Sequence, residues 1–305
     1  MRYTPEIKKI LVPITNRDEG ALVLKHAMAF HEIYACEIIL LYVIRKKTVV
    51  QSLMQEDKQK ERIEISERKL EVFALDFFGG KLPEFVSLKV VKGRLIQAIL
   101  KSAEESKCDL IIIKKRKPVL RKFRFIKNED ELIASSACPV LTIPENKIET
   151  SINDILIPVD IRKKVDTKVA WVKYLALKFN AKVHIVSVLD LDIAPNSSLA
   201  YQKALSIEES MKKVGLEANV LLLKSKGRNK QDVILSHIEA LKPDFVLMMT
   251  HQESILFDHY IGEFASEVIQ KSTSPIFSLV PRRETLMSQL IEPIISPKKS
   301  SDILI

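Results

Sequence analysis

Short apolar runs alternate along this chain with longer segments in which apolar residues recur at helical spacing. Runs such as 38–43 are apolar on both faces, as strands covered by helices on two sides must be. This alternation predicts right-handed crossovers and an α/β fold with a parallel, doubly wound sheet. The predicted strands are 9–15, 37–44, 85–91, 110–113 and 140–143, then 154–160, 182–189, 219–224, 245–250 and 276–280.

The second half of the chain repeats the first. Segment 10–15 (ILVPIT) returns as 155–160 (ILIPVD), and segment 135–140 (SSACPV) returns as 271–276 (KSTSPI). A repeat of roughly 140 residues is a copied domain rather than a solenoid unit. We therefore expect two tandem five-stranded domains with helices on both sheet faces, at 1–147 and 148–283, and a C-terminal tail at 284–305.

Composition and charge narrow the class of protein. The net charge is +9, but lysines are interspersed with glutamates and only 6% of residues are aromatic. Few aromatic rings are available to stack on bases, so we predict a solvated basic surface without nucleic-acid binding. No run is long enough to span a bilayer, and the start leaves no room for a signal peptide. Three cysteines without metal-ligand spacing suggest reduced thiols, so we expect a cytoplasmic protein with no membrane or metal partner.

Candidate ligand-binding residues lie where strands end. Ligands of open α/β sheets bind at the carboxyl ends of strands. Strand one ends at Thr15 in the first copy and at Asp160 in the second, so these two residues should face any crevice. Strand four ends at Ile113-Lys114 and Met249-Thr250, beside the same crevice.

Three motifs, found twice in the same order, resemble the universal stress protein family. They are the Leu-Val-Pro or Leu-Ile-Pro first strand, the fourth strand Pro-Asp-Phe-Val-Leu-Met-Met-Thr-His at 243–251, and the proline-flanked fifth strand. The resemblance covers about residues 8–144 and 153–281. It implies a universal stress/adenine nucleotide alpha hydrolase-like fold, in which fifth strands of partner domains pair antiparallel. Here the two copies could make that pair within one chain, as an internal pseudo-dimer that buries the strand edge.

The nucleotide-binding branch of that family has a Gly-x2-Gly-x9-Gly-Ser/Thr signature after strand four, whose glycines let backbone amides approach phosphates. Laid on the second copy, these positions fall at Met249, Gln252, Gly262 and Glu263. Only one glycine remains, and a carboxylate stands at the hydroxyl position. Like charges ~4 Å apart repel by ~1 kcal/mol in water and by several in a protein groove. The second copy is therefore predicted to bind ATP weakly or not at all.

In the first copy the same spacing gives Ile113, Arg116, Ile126 and Lys127, none of which is glycine. The resemblance also implies an adenine-binding Asp after strand one, which the second copy keeps as Asp160 and the first replaces with Thr15. We interpret both sites as degenerate. The second copy keeps the adenine-binding end but has no phosphate cradle. The first copy has lost the adenine-binding Asp and could hold only the phosphate end.

The segment 114–127 carries eight Lys or Arg residues and no acidic residue. Three interpretations remain open: a solvated cationic face, point-charge binding of an anionic small molecule or polyphosphate, and docking against acid. The acidic partner could be the matching loop of the second copy, which contains Glu253, Asp258 and Glu263.

The sequence favours a non-enzymatic stress-response protein that acts by ligand or partner binding, without a cofactor. The competing hypothesis is an ATP or adenine-nucleotide switch, or a slow ATPase, that uses Asp160 and Gly262 of the second domain. A third is a pure interaction scaffold. No nucleophile elbow, P-loop or dinucleotide-binding turn is found in the sequence. Whole chains could pair further as homodimers.

Overall fold

The computed structural model describes residues 5–15, 17–45, 56–115, 126–160, 165–189, 199–250 and 261–279. Strands and helices alternate in the first half of the chain. Its elements are β1 (Lys9–Ile14), α1 (Arg17–Tyr34), β2 (Glu37–Arg45), α2 (Glu56–Phe77), β3 (Val86–Gly93), α3 (Leu95–Glu105), β4 (Leu110–Lys114), α4 (Ile126–Ser135) and β5 (Val140–Ile143).

The second half repeats this order. Its elements are β6 (Asp154–Pro158), α5 (Asp166–Phe179), β7 (Lys182–Leu189), α6 (Leu199–Lys212), β8 (Ala218–Lys224), α7 (Lys230–Leu241), β9 (Phe245–Met249), α8 (Glu263–Lys271) and β10 (Ile276–Leu279). Left-handed backbone ends equivalent helices, at Ala35 and Asn180 after α1 and α5, and at Lys107 and Lys242 after α3 and α7. Such residues satisfy the last carbonyls of a helix.

All ten strands join in one sheet, in the order β3-β2-β1-β4-β5-β10-β9-β6-β7-β8. Pairing is parallel within each half, and β5 and β10 pair antiparallel, with Leu141 opposite Phe277. The predicted parallel α/β fold and the internal pseudo-dimer are confirmed. Each predicted strand is found with its ends within two residues. Because β5 and β10 cover one another, neither leaves an open edge in the middle of the molecule.

On one face of the sheet, α1 and α5 meet in an aromatic seam that joins the two domains. The rings of Tyr34 and Tyr174 stack with centroids 5.1 Å apart. Phe30 contacts Phe179 edge-on at 5.4 Å and stacks on Phe245 at 5.9 Å. The hydrophobic cluster on this face is continuous across both halves. The domains are therefore packed together rather than loosely linked.

On the other face, α4 and α8 meet through polar side chains. Asp130 accepts hydrogen bonds from Ser266 Oγ at 2.7 Å and Gln270 Nε2 at 3.4 Å. Lys115 Nζ donates to the Ser272 carbonyl at 2.8 Å. Burial raises the pKa of Asp130 and lowers the pKa of Lys115 to about 8. Both groups therefore lie in an environment that disfavours their charged forms.

Candidate functional site

A crevice opens in the first domain at the carboxyl ends of β1 and β4. The described residues line a cavity of about 50 Å³, which is room for a few water molecules. Thr15 and Ile113 both lie there, as predicted from the strand ends. The cavity is lined by Pro13, Thr15, Glu19, Val23, Leu95, Ile96, Ile99, Ile113, Lys114, Glu129 and Leu132.

Charged side chains neutralise one another in this crevice. Lys114 Nζ lies 3.6 Å from Glu19 Oε1 and 3.5 Å from Glu145 Oε1. Thr15 Oγ1 donates a hydrogen bond to Glu19 Oε2 at 2.5 Å. The Lys114 side chain is only 17% exposed, and that of Glu19 is 25% exposed. The Lys114 ammonium is therefore already paired with two carboxylates and would have to leave them in order to bind a phosphate.

The strand register corrects one predicted position. β4 and β9 each have five residues, and their first residues pair with Ile10 and Ile155, which are equivalent in the repeat. The counterpart of Met249 is therefore Lys114 and not Ile113. The connection to the fifth strand is one residue shorter in the first copy, so the equal spacing expected from the sequence is wrong. Ile113 is buried in the cluster on the opposite sheet face from the one that Met249 contacts.

A second cavity of about 270 Å³ lies beside the first, between β1, β2 and α2. Thr15 lines both cavities. Arg17 Nη2 and Asp76 Oδ2 form an ion pair across its rim at 2.6 Å. Both side chains are well exposed, so this pair adds little stability, but it places a cation and an anion at the entrance.

In the second domain the strands place Asp160 and Met249 at neighbouring strand ends. Asp160 follows β6, Met249 ends β9, and these strands pair in the sheet. Both residues are half-buried. The structure therefore brings together the acidic residue and the bulky residue that the sequence placed in one crevice.

Gly262 immediately precedes α8, and its amide is already used inside the domain. Gly262 N donates to the Thr250 carbonyl at 3.0 Å. Its φ of −59° and ψ of 144° are accessible to any residue, so the backbone there does not require glycine. Glu263 begins α8 and is exposed. A carboxylate at this helix end occupies the position at which helix dipoles favour anions.

Lys168 was missed by the sequence reasoning. It is only 9% exposed, and its Nζ donates to the Pro158 carbonyl at the end of β6, at 2.5 Å. Its counterpart in the first domain is Val23, which lines the cavity there. The available signal was a lysine four residues before Val172 on the buried face of α5. The second domain thus has a buried cation at the position where the first has an apolar residue that lines its cavity.

The remaining predicted site residues fall outside what the structure describes. Arg116 and Gln252 lie outside the described residues, and Lys127 lies in the first turn of α4, where side chains are not described. The interpretations of the basic segment and of its acidic counterpart therefore stay predictions. Lys114 and Lys115 are described, and both already contact protein oxygens.

Other chemistry is sparse in the described part of the chain. No group of three or more His, Cys, Asp or Glu residues there is arranged to hold a metal ion. None of the described helices has the length and apolar character needed to cross a membrane. Cys36, Cys108 and Cys138 are free and buried. Burial raises the pKa of Cys36 and Cys108 to about 11, which keeps these thiols protonated and unreactive.

The fold defines a class: tandem α/β domains that are joined through their fifth strands. A family model for the Universal stress protein family matches residues 6–144 and 151–277. The chain belongs to this family. A search of curated proteins finds no match.

Solved structures share the architecture over nearly the whole chain. A universal stress protein from Archaeoglobus fulgidus DSM 4304 is similar with a TM-score of 0.69 and 17% identity, over 92% of this chain and 98% of that one. A protein from Pseudomonas aeruginosa UCBPP-PA14, described as a universal stress protein, has a TM-score of 0.64 and 19% identity, over 95% and 98%. At these identities the likeness concerns the fold alone.

Proposed function

We propose that this universal stress protein acts in the stress response by binding a ligand or partner, without catalysis and with weak or no ATP binding. The observation that supports this most directly is the position of Lys114. Its side chain enters the first crevice from the position of the first signature glycine and pairs with Glu19 and Glu145. A triphosphate would have to break these pairs and then lie beside two carboxylates.

The second domain supports the same conclusion by different means. The Gly262 amide is bound to the Thr250 carbonyl, so it is not directed at a ligand. Met249 is half-buried at the end of β9, where the signature has a glycine. At these two described positions the second domain therefore lacks the free backbone approach that the glycine signature gives to a phosphate.

An adenine-nucleotide switch, or a slow ATPase, in the second domain is the other candidate. Asp160 and Lys168 favour it, because both lie near the carboxyl end of β6. A carboxylate that accepts a hydrogen bond from adenine is compatible with a nucleoside. A buried cation beside it would attract a phosphate rather than repel it.

Thermal unfolding with Mg-ATP and Mg-ADP tests the proposal. A ligand at 100 times its dissociation constant stabilises by about 2.7 kcal/mol, so we expect no shift of the melting temperature at millimolar nucleotide. Lys114→Ala should not create binding, because Glu19 and Glu145 remain. A clear shift that Asp160→Asn abolishes would instead establish the switch in the second domain.

Three further predictions belong to this proposal. We propose a cytoplasmic location, an anionic small molecule as ligand of the basic segment 114–127, and homodimers of whole chains. We propose the same domain limits, 1–147 and 148–283, and an ion pair between Lys147 Nζ and Asp244 Oδ1 at 2.6 Å holds the chain near their boundary. The His26 ring nitrogen Nε2 also hydrogen-bonds the Lys147 carbonyl at 3.1 Å.

A further inference from the structure

The two ends of the ten-stranded sheet are equivalent strands with different chemistry. β3 and β8 are its outermost strands, and no other described strand pairs with their outer edges. Lys89 of β3 pairs with Leu41, and Leu221 of β8 pairs with Val186. Leu41 and Val186 are equivalent in the repeat, so Lys89 and Leu221 are counterparts.

The edge of the first domain is polar at this position. Lys89 Nζ donates to Glu105 Oε2 at 3.1 Å and to Ser106 Oγ at 3.4 Å. The Lys89 ammonium lowers the pKa of Glu105, so this carboxylate stays charged. A lysine on an edge strand discourages pairing with another strand, because its charge would have to be desolvated.

The edge of the second domain has lost each of these polar groups. Lys107 and Lys242 end α3 and α7 with the same left-handed backbone, at φ 52°. Counting back from them, Ala240 replaces Glu105 and Leu241 replaces Ser106. Leu221 is 36% exposed and Ala240 is exposed. Leu221, Ala240 and Leu241, which we call the apolar patch, therefore occupy the three positions that hold the charged cluster in the first domain.

We propose that β8 pairs antiparallel with β8 of a second copy of this chain, about a two-fold axis at Leu221. This pairing would extend the sheet by the same kind of joint that β5 and β10 already form within the chain. Residues 219–223 are uncharged, so no like charges meet. The edge amides and carbonyls gain partners, and the apolar patches of the two copies cover one another.

The charge on β3 explains why the assembly closes at two chains. In the equivalent β3–β3 joint, Lys89 would face Lys89 of the other copy, and like charges directly opposite are destabilising. A β3–β8 joint would bury Lys89 against Leu221 and would repeat without closing, which produces fibres. Lys89 thus restricts pairing to β8.

Sedimentation equilibrium of the full chain tests the proposal across a wide concentration range. The wild type should show twice the chain mass of 34.8 kDa. Leu221→Lys, which copies the chemistry of the other edge, should weaken association by about a hundredfold, equivalent to about 2.8 kcal/mol. Ser87→Lys, at an exposed site on β3, is the matched control and should leave the mass unchanged. Circular dichroism establishes that each variant is folded.

Lys89→Leu provides the reciprocal test, because it makes the β3 edge apolar as well. We expect assemblies larger than two chains, growing with concentration. A wild type that stays monomeric would overturn the proposal, whatever else covers the edge of β8. So would a dimer that Leu221→Lys leaves intact. These outcomes are independent of nucleotide binding.

Discussion

Three exchanged side chains distinguish the ends of the first and fourth strands in the two domains. Thr15 corresponds to Asp160, Lys114 to Met249 and Val23 to Lys168. The first domain places its cation at a strand end, between Glu19 and Glu145. The second places its cation deeper, on the Pro158 carbonyl. The copies have therefore diverged in the charge that they place at these strand ends, while their strands and helices keep the same order.

Lys115 gives a prediction about pH at the residue scale. Burial holds the pKa of its amine at about 8, below the ordinary value of 10.5. Between these values the unfolded chain binds a proton that the folded chain does not, so this group makes the wild type more stable as the pH rises. Lys115→Met should raise the free energy of unfolding at pH 7 by about 1 to 2 kcal/mol, and this advantage should shrink as the pH rises from about 8 to about 10.

Urea unfolding of both proteins at several pH values measures this difference. Lys101→Met replaces an exposed lysine and should show no such pH dependence. A constant difference between Lys115→Met and the wild type across the range would show that Lys115 is not desolvated in the folded protein.

The sequence predicted the site residues that lie at strand ends better than those whose position depends on strand pairing or helix packing. Thr15 and Asp160 were found because a strand end can be located from an apolar run. Lys114 was predicted to lie at the end of strand four, but it was not matched to Met249, because a one-residue difference in the following connection shows only in the strand pairing. Lys168 was missed because a single lysine on an apolar helical face resembles an ordinary surface position.

At the scale of elements, two stacked tyrosines, Tyr34 of α1 and Tyr174 of α5, differ in whether the hydroxyl has a hydrogen-bond partner. Tyr174 Oη accepts a hydrogen bond from Ile7 N at 2.9 Å. The buried Tyr34 hydroxyl has no hydrogen-bond partner within the described structure. Tyr34→Phe should therefore leave stability unchanged or raise it by up to about 1 kcal/mol, and Tyr174→Phe should lower it by about 1 kcal/mol.

Chemical denaturation of the two variants tests this contrast, since both keep the ring stacking and remove one hydroxyl. Equal losses in the two would mean that Tyr34 has a partner in solution. The double variant should show the sum of the two effects unless the stacked rings move.

The elements themselves were predicted well, because strands buried on both faces have continuous apolar runs that differ clearly from helical periodicity. The different side-chain chemistry of the two sheet edges was not predicted. Lys89 and Leu221 are both ordinary strand residues in the sequence, and only the pairing of β3 with β2 and of β8 with β7 shows that they are equivalent.

At the scale of the molecule, the two domains share one sheet and two continuous hydrophobic clusters. An interface of this kind resembles a domain interior. Unfolding of one domain should therefore expose the apolar surface of the other domain to water and destabilise it. We expect a single calorimetric transition for the whole chain, with a calorimetric enthalpy close to the van't Hoff enthalpy.

The aromatic seam between α1 and α5 should make the two domains unfold together. Phe30 of the first domain contacts Phe179 and Phe245 of the second, and Phe30→Ala should cost about 3 to 5 kcal/mol, as large-to-small core substitutions do. Because the loss falls between the domains, the transition should also become less cooperative. Phe73→Ala removes a buried ring within the first domain and should lower the melting temperature without changing cooperativity. Two separate transitions in the wild type would contradict the coupling, because a shared sheet cannot unfold by halves while β5 and β10 stay paired.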